Sequence, residues 1–205
     1  MRVVAGHLGG RPLSAPKGTL TRPTSERVRE ALFSILGDVE GFRVLDLYAG
    51  SGALGIEALS HGAQQVTFVE ADRTALAILG RNLGRLGLDD GRSAVLAMRV
   101  NRAARAIAVR APYDLVLCDP PWNDLHRELR VLARLDWVGL LAERSTVVIE
   151  HPTQQPPDWS SPPGLVPTAC RSWGDTAMTF CCGVTGDSAD GKGGKHRRYS
   201  HGSAL

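Results

Sequence analysis

Cysteine is scarce in this 205-residue chain: only Cys118, Cys170, Cys181 and Cys182 occur. They form no Cys-x-x-Cys pair and have no histidines at metal-ligand intervals, so neither a zinc module nor a disulfide scaffold is expected, and no metal site. Buried, reduced thiols are the expectation. No run of 18 apolar residues occurs, which argues against a membrane-spanning helix. Met1-Arg-Val-Val-Ala-Gly-His7 lacks the apolar stretch of a signal peptide, so a cytoplasmic protein is expected. No repeat recurs at solenoid periods. What remains, with 43% hydrophobic and 22% charged residues, is ordinary for one globular domain with short extensions.

The net charge of +3 is small but unevenly placed. Arg2, Arg11, Lys17, Arg22, Arg27 and Arg29 face only Glu26 and Glu30 within residues 1–30, a local surplus of +4. Local basicity suits phosphate contacts, because a nucleic acid is met by a patch and not by the total charge. Arg11, Lys17, Arg22, Arg27 and Arg29 are the candidates, with a merely solvated surface as the alternative. Residues 1–22 are read as a basic arm folded into a small β-hairpin, with Gly9-Gly10 at its turn. A helix is expected to start at Thr24 or Ser25, to carry an apolar stripe of Val28, Ala31, Leu32, Ile35 and Leu36, and to end at Gly37. Residues 185–205 are rich in Gly, Ser, Lys and Arg with few apolar side chains, and are expected to be a disordered basic tail.

Between them, residues 23–184 read as one α/β domain. Apolar strands are expected at 44–48, 66–70, 95–100, 115–118 and 146–150, separated by helical patterns. Near-continuous apolar strands alternating with helices imply a mostly parallel sheet covered on both faces. Val166–Trp173 and Thr176–Cys182, joined at Gly174-Asp175, form a hairpin, so at least one edge strand is expected to be antiparallel.

Two motifs carry chemistry. In Asp46-Leu-Tyr-Ala-Gly-Ser-Gly52 a strand breaks into small residues before a helix, which lets backbone N–H groups approach a nucleotide-like ligand. Gly50, Gly52 and Gly55 match the spacing of a dinucleotide fingerprint, which by itself is weak. Asp46 is placed to help anchor a ligand ammonium group, and Glu70, ending the next strand, to accept from a ribose diol. Ala49, Ser51 and Ala71 lie beside them in the same two turns.

Asp119-Pro-Pro-Trp122 follows the strand ending at Cys118, at the carboxyl edge where open α/β sheets bind ligands. An aromatic exocyclic amine is a poor nucleophile because its lone pair is delocalised into the ring. A carboxylate accepting one N–H and a proline carbonyl accepting the other favour a more pyramidal, nucleophilic nitrogen, while proline's fixed φ keeps the turn stiff. Trp122 offers a stacking face. Asp119, Pro120, Pro121 and Trp122 are therefore the catalytic candidates, for direct displacement at a sulfonium methyl with no cysteine nucleophile.

Asp46–Gly55, Glu70 and Asp119–Trp122 together resemble class I S-adenosylmethionine-dependent methyltransferases that modify amino nitrogens. More narrowly, Arg2-Val-Val-Ala-Gly6, Gly10-Arg-Pro-Leu13, Arg22–Phe33 and Leu47–Ser60 look like the bacterial RsmD-type small-subunit (16S) ribosomal RNA guanine-N2 methyltransferases, over roughly residues 2–182. That resemblance implies a Rossmann-like seven-stranded sheet with its last strand antiparallel and an N-terminal β-hairpin extension. It also implies S-adenosyl-L-methionine as cofactor and methylation of one guanine in the assembled or assembling small subunit. It would set Arg22, Arg27 and Arg29 against RNA phosphates or the pocket rim. Asn101 stands where relatives carry an acid near the adenine, and Trp122 where Tyr or Phe is more usual. His151 is expected to be structural. A monomer is expected. A DNA amino-methyltransferase, a protein glutamine N-methyltransferase and a non-catalytic RNA-binding module are the alternatives.

Overall fold

The computed structural model describes residues 1–15, 25–157 and 164–183. Lys17, Arg22 and the expected tail 185–205 lie outside the described residues.

Seven strands form one sheet: β1 (Arg43–Leu47), β2 (Gln65–Glu70), β3 (Ser93–Ala97), β4 (Tyr113–Cys118), β5 (Leu141–Pro152), β6 (Leu165–Trp173) and β7 (Thr176–Gly183). Their order is β3-β2-β1-β4-β5-β7-β6. β1, β2, β3, β4 and β5 pair in parallel, whereas β7 pairs antiparallel with both β5 and β6. The mostly parallel sheet with a reversed last strand is thus present. The edge strand β6 is antiparallel to its neighbour, as expected, and the reversed last strand β7 lies one place in, between β5 and β6.

Helices cover both faces. α1 (Glu26–Leu36), α2 (Ala53–Ser60) and α3 (Arg73–Leu86) pack on one, and α4 (Val100–Ala108), α5 (Leu125–Leu132) and α6 (Trp137–Leu140) on the other. α1 begins where the Ser25 side chain accepts from Val28 N and ends at Gly37, whose φ is 72°. Asp72 caps α3 in the same way by accepting from Ala75 N. No helix among the described residues is long and apolar enough to cross a membrane.

Two strands differ from expectation in their bounds. β3 ends at Ala97, and Val100 opens α4, where Val100, Ala103 and Ile107 form its buried stripe. A short apolar run fits strand or helix equally well, and here the helical spacing wins. β5 is longer than expected because its start, Leu141–Ser145, still joins the sheet through Leu141 opposite Tyr113, with an irregular stretch of β5 before Thr146 pairs with Leu115. Residues 1–13 do form the expected small hairpin: the antiparallel bridge Arg2 to Pro12 is flanked by Leu13 N donating to Met1 O and Val3 N to Arg11 O, each at 2.9 Å. This segment is not a free arm: Val3, Leu8 and Leu13 are buried in the core shared with α1 and α2.

Candidate active site

The carboxyl ends of β1, β2 and β4 bring the two sequence motifs to one rim. Along the loop after β1, Tyr48, Gly50 and Gly52 all have positive φ, 61°, 57° and 81°. Positive φ at a tyrosine is uncommon and costs about 1–3 kcal/mol, so the surrounding bonds must impose it. One of them is Ala49 N donating to Val69 O at 3.1 Å. Gly55 is required for packing: a Cβ there would lie 2.3 Å from Phe68 Cε1 and 2.9 Å from Asp46 Oδ2. A Cβ on Gly50 would meet nothing nearer than Tyr48 O at 4.0 Å, so this side of the loop has room for a ligand.

Glu70 organises that loop. Its Oε1 accepts from Ala71 N and Asp72 N, and its Oε2 from Gly50 N, each at 2.7 Å. A carboxylate has about four lone-pair sites, so Oε2 keeps one for a further donor such as a ribose hydroxyl. Ser51 is held from behind, where the Asn82 amide donates to Ser51 O at 2.9 Å and to Ser14 O at 3.0 Å. Asn82 was not anticipated, because a single asparagine inside a helix carries no motif.

Asp46 sits deeper than expected. It is 1% exposed, and its Oδ2 accepts from Gly55 N at 2.9 Å, so it holds the first turn of α2. Burial pushes its carboxyl up from an ordinary 3.8 to about 8, and the neighbouring Asp119 and Glu70 add to the rise.

On the other side of the rim, Asp119 N donates to Leu47 O at 3.3 Å, which continues the β1–β4 pairing into the tetrad. Asp119 is half-buried, Pro120 buried, Pro121 exposed and Trp122 half-buried at the start of a 3-10 turn, Trp122–Asp124. Pro121 O is taken by Asp124 N at 3.0 Å, whereas among the described residues no backbone N–H bonds Pro120 O. The two halves are also tied directly: Tyr48 Oη donates to Glu128 Oε2 of α5 at 3.0 Å. Burial and Glu128 hold that phenol far above its ordinary range. The link was illegible in the sequence, since 80 residues separate its ends.

The remaining candidates scatter. Asn101 is exposed in the first turn of α4, at the carboxyl end of β3. Arg11 and Arg27 both stand exposed, outside the core. Arg29 must be reassigned: it is wholly buried and cannot face RNA. It donates to Glu57 Oε2 at 2.9 Å and to Arg2 O at 2.7 Å. Glu57 also accepts from Val4 N and Ala5 N. A lone acid in the apolar stretch Leu54–Leu59 was the available signal for this pair. His151 is structural as expected, bonded to Thr179 Oγ1 and Pro152 O at 3.0 Å, with its pKa lowered by burial. Of the cysteines, Cys118 and Cys181 are buried, Cys182 is half-buried, and Cys170 is exposed on β6, against expectation. Burial pushes the Cys118 thiol well up and Cys181 to about 12, so neither is an activated nucleophile.

Residues 1–181 match the family described as conserved hypothetical protein 95. The chain belongs to this family. It is 34% identical over 170 residues to ribosomal RNA small subunit methyltransferase D of Escherichia coli K12, covering 78% of this chain and 81% of that protein. It is 40% identical over 154 residues to Bacillus subtilis YlbH, provisionally named an rRNA methyltransferase, covering 74% and 82%. Among solved structures, a hypothetical protein of Thermus thermophilus matches with a TM-score of 0.73 and 29% identity, over 88% of this chain and 98% of that one. The architecture is that of the class I methyltransferases.

Proposed function

We propose that this protein transfers a methyl group from S-adenosyl-L-methionine to the exocyclic N2 amine of a guanine in small-subunit ribosomal RNA. The observation carrying this reading is the junction of the Glu70-organised glycine loop with Asp119-Pro120-Pro121-Trp122 on one rim, in a chain whose relatives are named rRNA methyltransferases. The cofactor supplies an electrophilic sulfonium methyl. The residues present fit it: Gly50 leaves room, Ser51 and Gly52 shape the turn, and Ala71 follows the Glu70 carboxylate that accepts from the ribose. Buried Asp46 acts through the first turn of α2 and favours positive charge above it.

In the amine slot, Asp119 and the Pro120 carbonyl accept the two N–H bonds of the amine, which localises the nitrogen lone pair toward the methyl. Pro121 O, already bonded to Asp124, fixes the turn instead. Trp122 stacks on the base. Base–aromatic stacking is worth roughly 1–3 kcal/mol, against the few kcal/mol needed to unstack a nucleotide. Alignment of amine and methyl supplies much of the rate. As the methyl arrives the amine becomes acidic, and Asp119 takes its proton.

The substrate on this reading is the assembled or assembling small subunit in the cytoplasm, and the enzyme is a monomer. Among the described residues the large apolar side chains left exposed are Val95, Val109, Val138 and Val166, which come from four different parts of the chain. The test is incubation with methyl-tritiated S-adenosylmethionine and small subunits from cells lacking this gene, followed by nucleoside mass spectrometry. Label in N2-methylguanosine is expected. Label in another nucleoside or in protein, or none on subunits and free RNA while cofactor binds, would overturn the assignment.

A further inference from the structure

We propose that the outer face of α4 and α5, and not the N-terminal segment, is the main surface that docks the RNA phosphate backbone beside the base slot. The proposal rests on the reading of ribosomal RNA as substrate and names where the rest of that substrate lies.

The amphipathic build of α4 carries the first part of the argument. Val100, Ala103 and Ile107 are buried against the sheet, while Arg102 and Arg105 lie on the other side and Arg99 precedes the first turn. No acid occurs between residues 99 and 110. None of these three arginines makes an ion pair among the described residues. α5 packs beside α4 on the same face of the sheet and carries Arg127 and Arg130, with Arg134 just beyond its end, while Leu125 and Leu132 are buried. Its one acid inside this row, Glu128, is drawn inward by Tyr48. Of the six arginines on this face only Arg127 is paired, with Glu128 at 3.9 Å, and the other five make no ion pair among the described residues, a pattern that suits phosphates, which guanidinium binds bidentately.

Position supplies the second part. α4 leaves the carboxyl end of β3, and α5 leaves the carboxyl end of β4 directly after the Trp122 turn. The first turns of both helices therefore stand on the rim that holds Asp119, so a strand whose base is stacked on Trp122 continues past these arginines. Among the described residues the N-terminal segment has less to offer, since only Arg11 and Arg27 are exposed there without an ion pair. Arg2 is paired with Glu26 at 3.0 Å, and Arg29 is buried against Glu57.

The test compares two double substitutions that remove the same charge from opposite faces of the sheet. Arg102→Gln with Arg105→Gln alters α4. Arg81→Gln with Arg85→Gln alters the exposed side of α3. Glutamine keeps helix propensity near that of arginine, so both variants should fold. Affinity for unmodified small subunits is measured from about 50 to 200 mM salt, with methyl transfer by wild type run alongside. Each lost phosphate contact lowers the slope of log affinity against log salt by about 0.7–0.9. The α4 pair is expected to lower the slope by about 1.5 and to weaken binding by about tenfold or more at low salt, with the α3 pair close to wild type. Equal effects of the two pairs, or an unchanged slope for the α4 pair while wild type methylates the subunits, would overturn the docking surface alone. Wild-type protein that binds cofactor but methylates no RNA would overturn the functional reading and this surface together.

Discussion

Residues 1–30 and 99–110 carry the same formal surplus of four positive charges, yet the fold uses them in opposite ways. In the first region Glu57 reaches from α2 to take Arg29 and the amides of Val4 and Ala5, and Glu26 takes Arg2. In the second, Arg99, Arg102 and Arg105 form no ion pair with any acid among the described residues, and the charge is left to solvent or to a partner. Charge counted along a sequence becomes binding capacity only where the protein's own carboxylates leave it unclaimed. The described residues at the start of the first region are therefore a brace behind the cofactor loop: Gly6 lies against α2 so closely that a Cβ would stand 1.9 Å from Ser60 O.

The comparison breaks most visibly at Arg29. Arg29→Met leaves Glu57 buried without its cation, which costs about 3–5 kcal/mol. For a chain of this size that lowers Tm by about 10 °C in thermal unfolding. A fall of less than about 2 °C would mean that the brace does not depend on the pair.

Asp46 sharpens the same point from the other side, as a buried acid whose charged neighbours are themselves acids. Its folded-state pKa is raised from 3.8 to about 8, so the folded protein holds this proton more tightly than the unfolded chain. Its contribution to stability is complete below about pH 4 and is lost as the pH rises toward 8. Asp46→Asn keeps an acceptor for Gly55 N without the charge. The variant should match wild type in Tm near about pH 4 and exceed it by several degrees near about pH 8, in the absence of cofactor. A pH-independent difference would contradict the assigned shift.

The smallest effect belongs to Arg11 and Arg27, the remaining described arginines of the first region. Arg11→Gln with Arg27→Gln should change small-subunit affinity by less than about twofold in the salt titration that tests α4. A loss of about tenfold would return the docking role to the N-terminal segment.

The sequence disclosed the pieces whose chemistry is local. Asp46–Gly52, Glu70 and Asp119–Trp122 each belong to or follow a short apolar strand, so their place at the carboxyl edge followed from the alternation of elements. The Gly174 turn likewise disclosed the closing hairpin. What stayed hidden depends on contacts distant in the chain: Tyr48 with Glu128, Asn82 with Ser14 and Ser51, and Arg29 with Glu57. Val100 was misassigned because an apolar residue just past a strand fits either period, and only packing against the sheet decides.

The central claim is that Asp119 activates an amine beside a cofactor pocket it does not itself build. The most direct measurement is single-turnover methyl transfer to small subunits by Asp119→Ala, with S-adenosylmethionine binding measured by calorimetry on the same protein. The account predicts cofactor affinity within a few-fold of wild type and a transfer rate lower by about a hundredfold or more. Transfer at the wild-type rate with cofactor bound would contradict it.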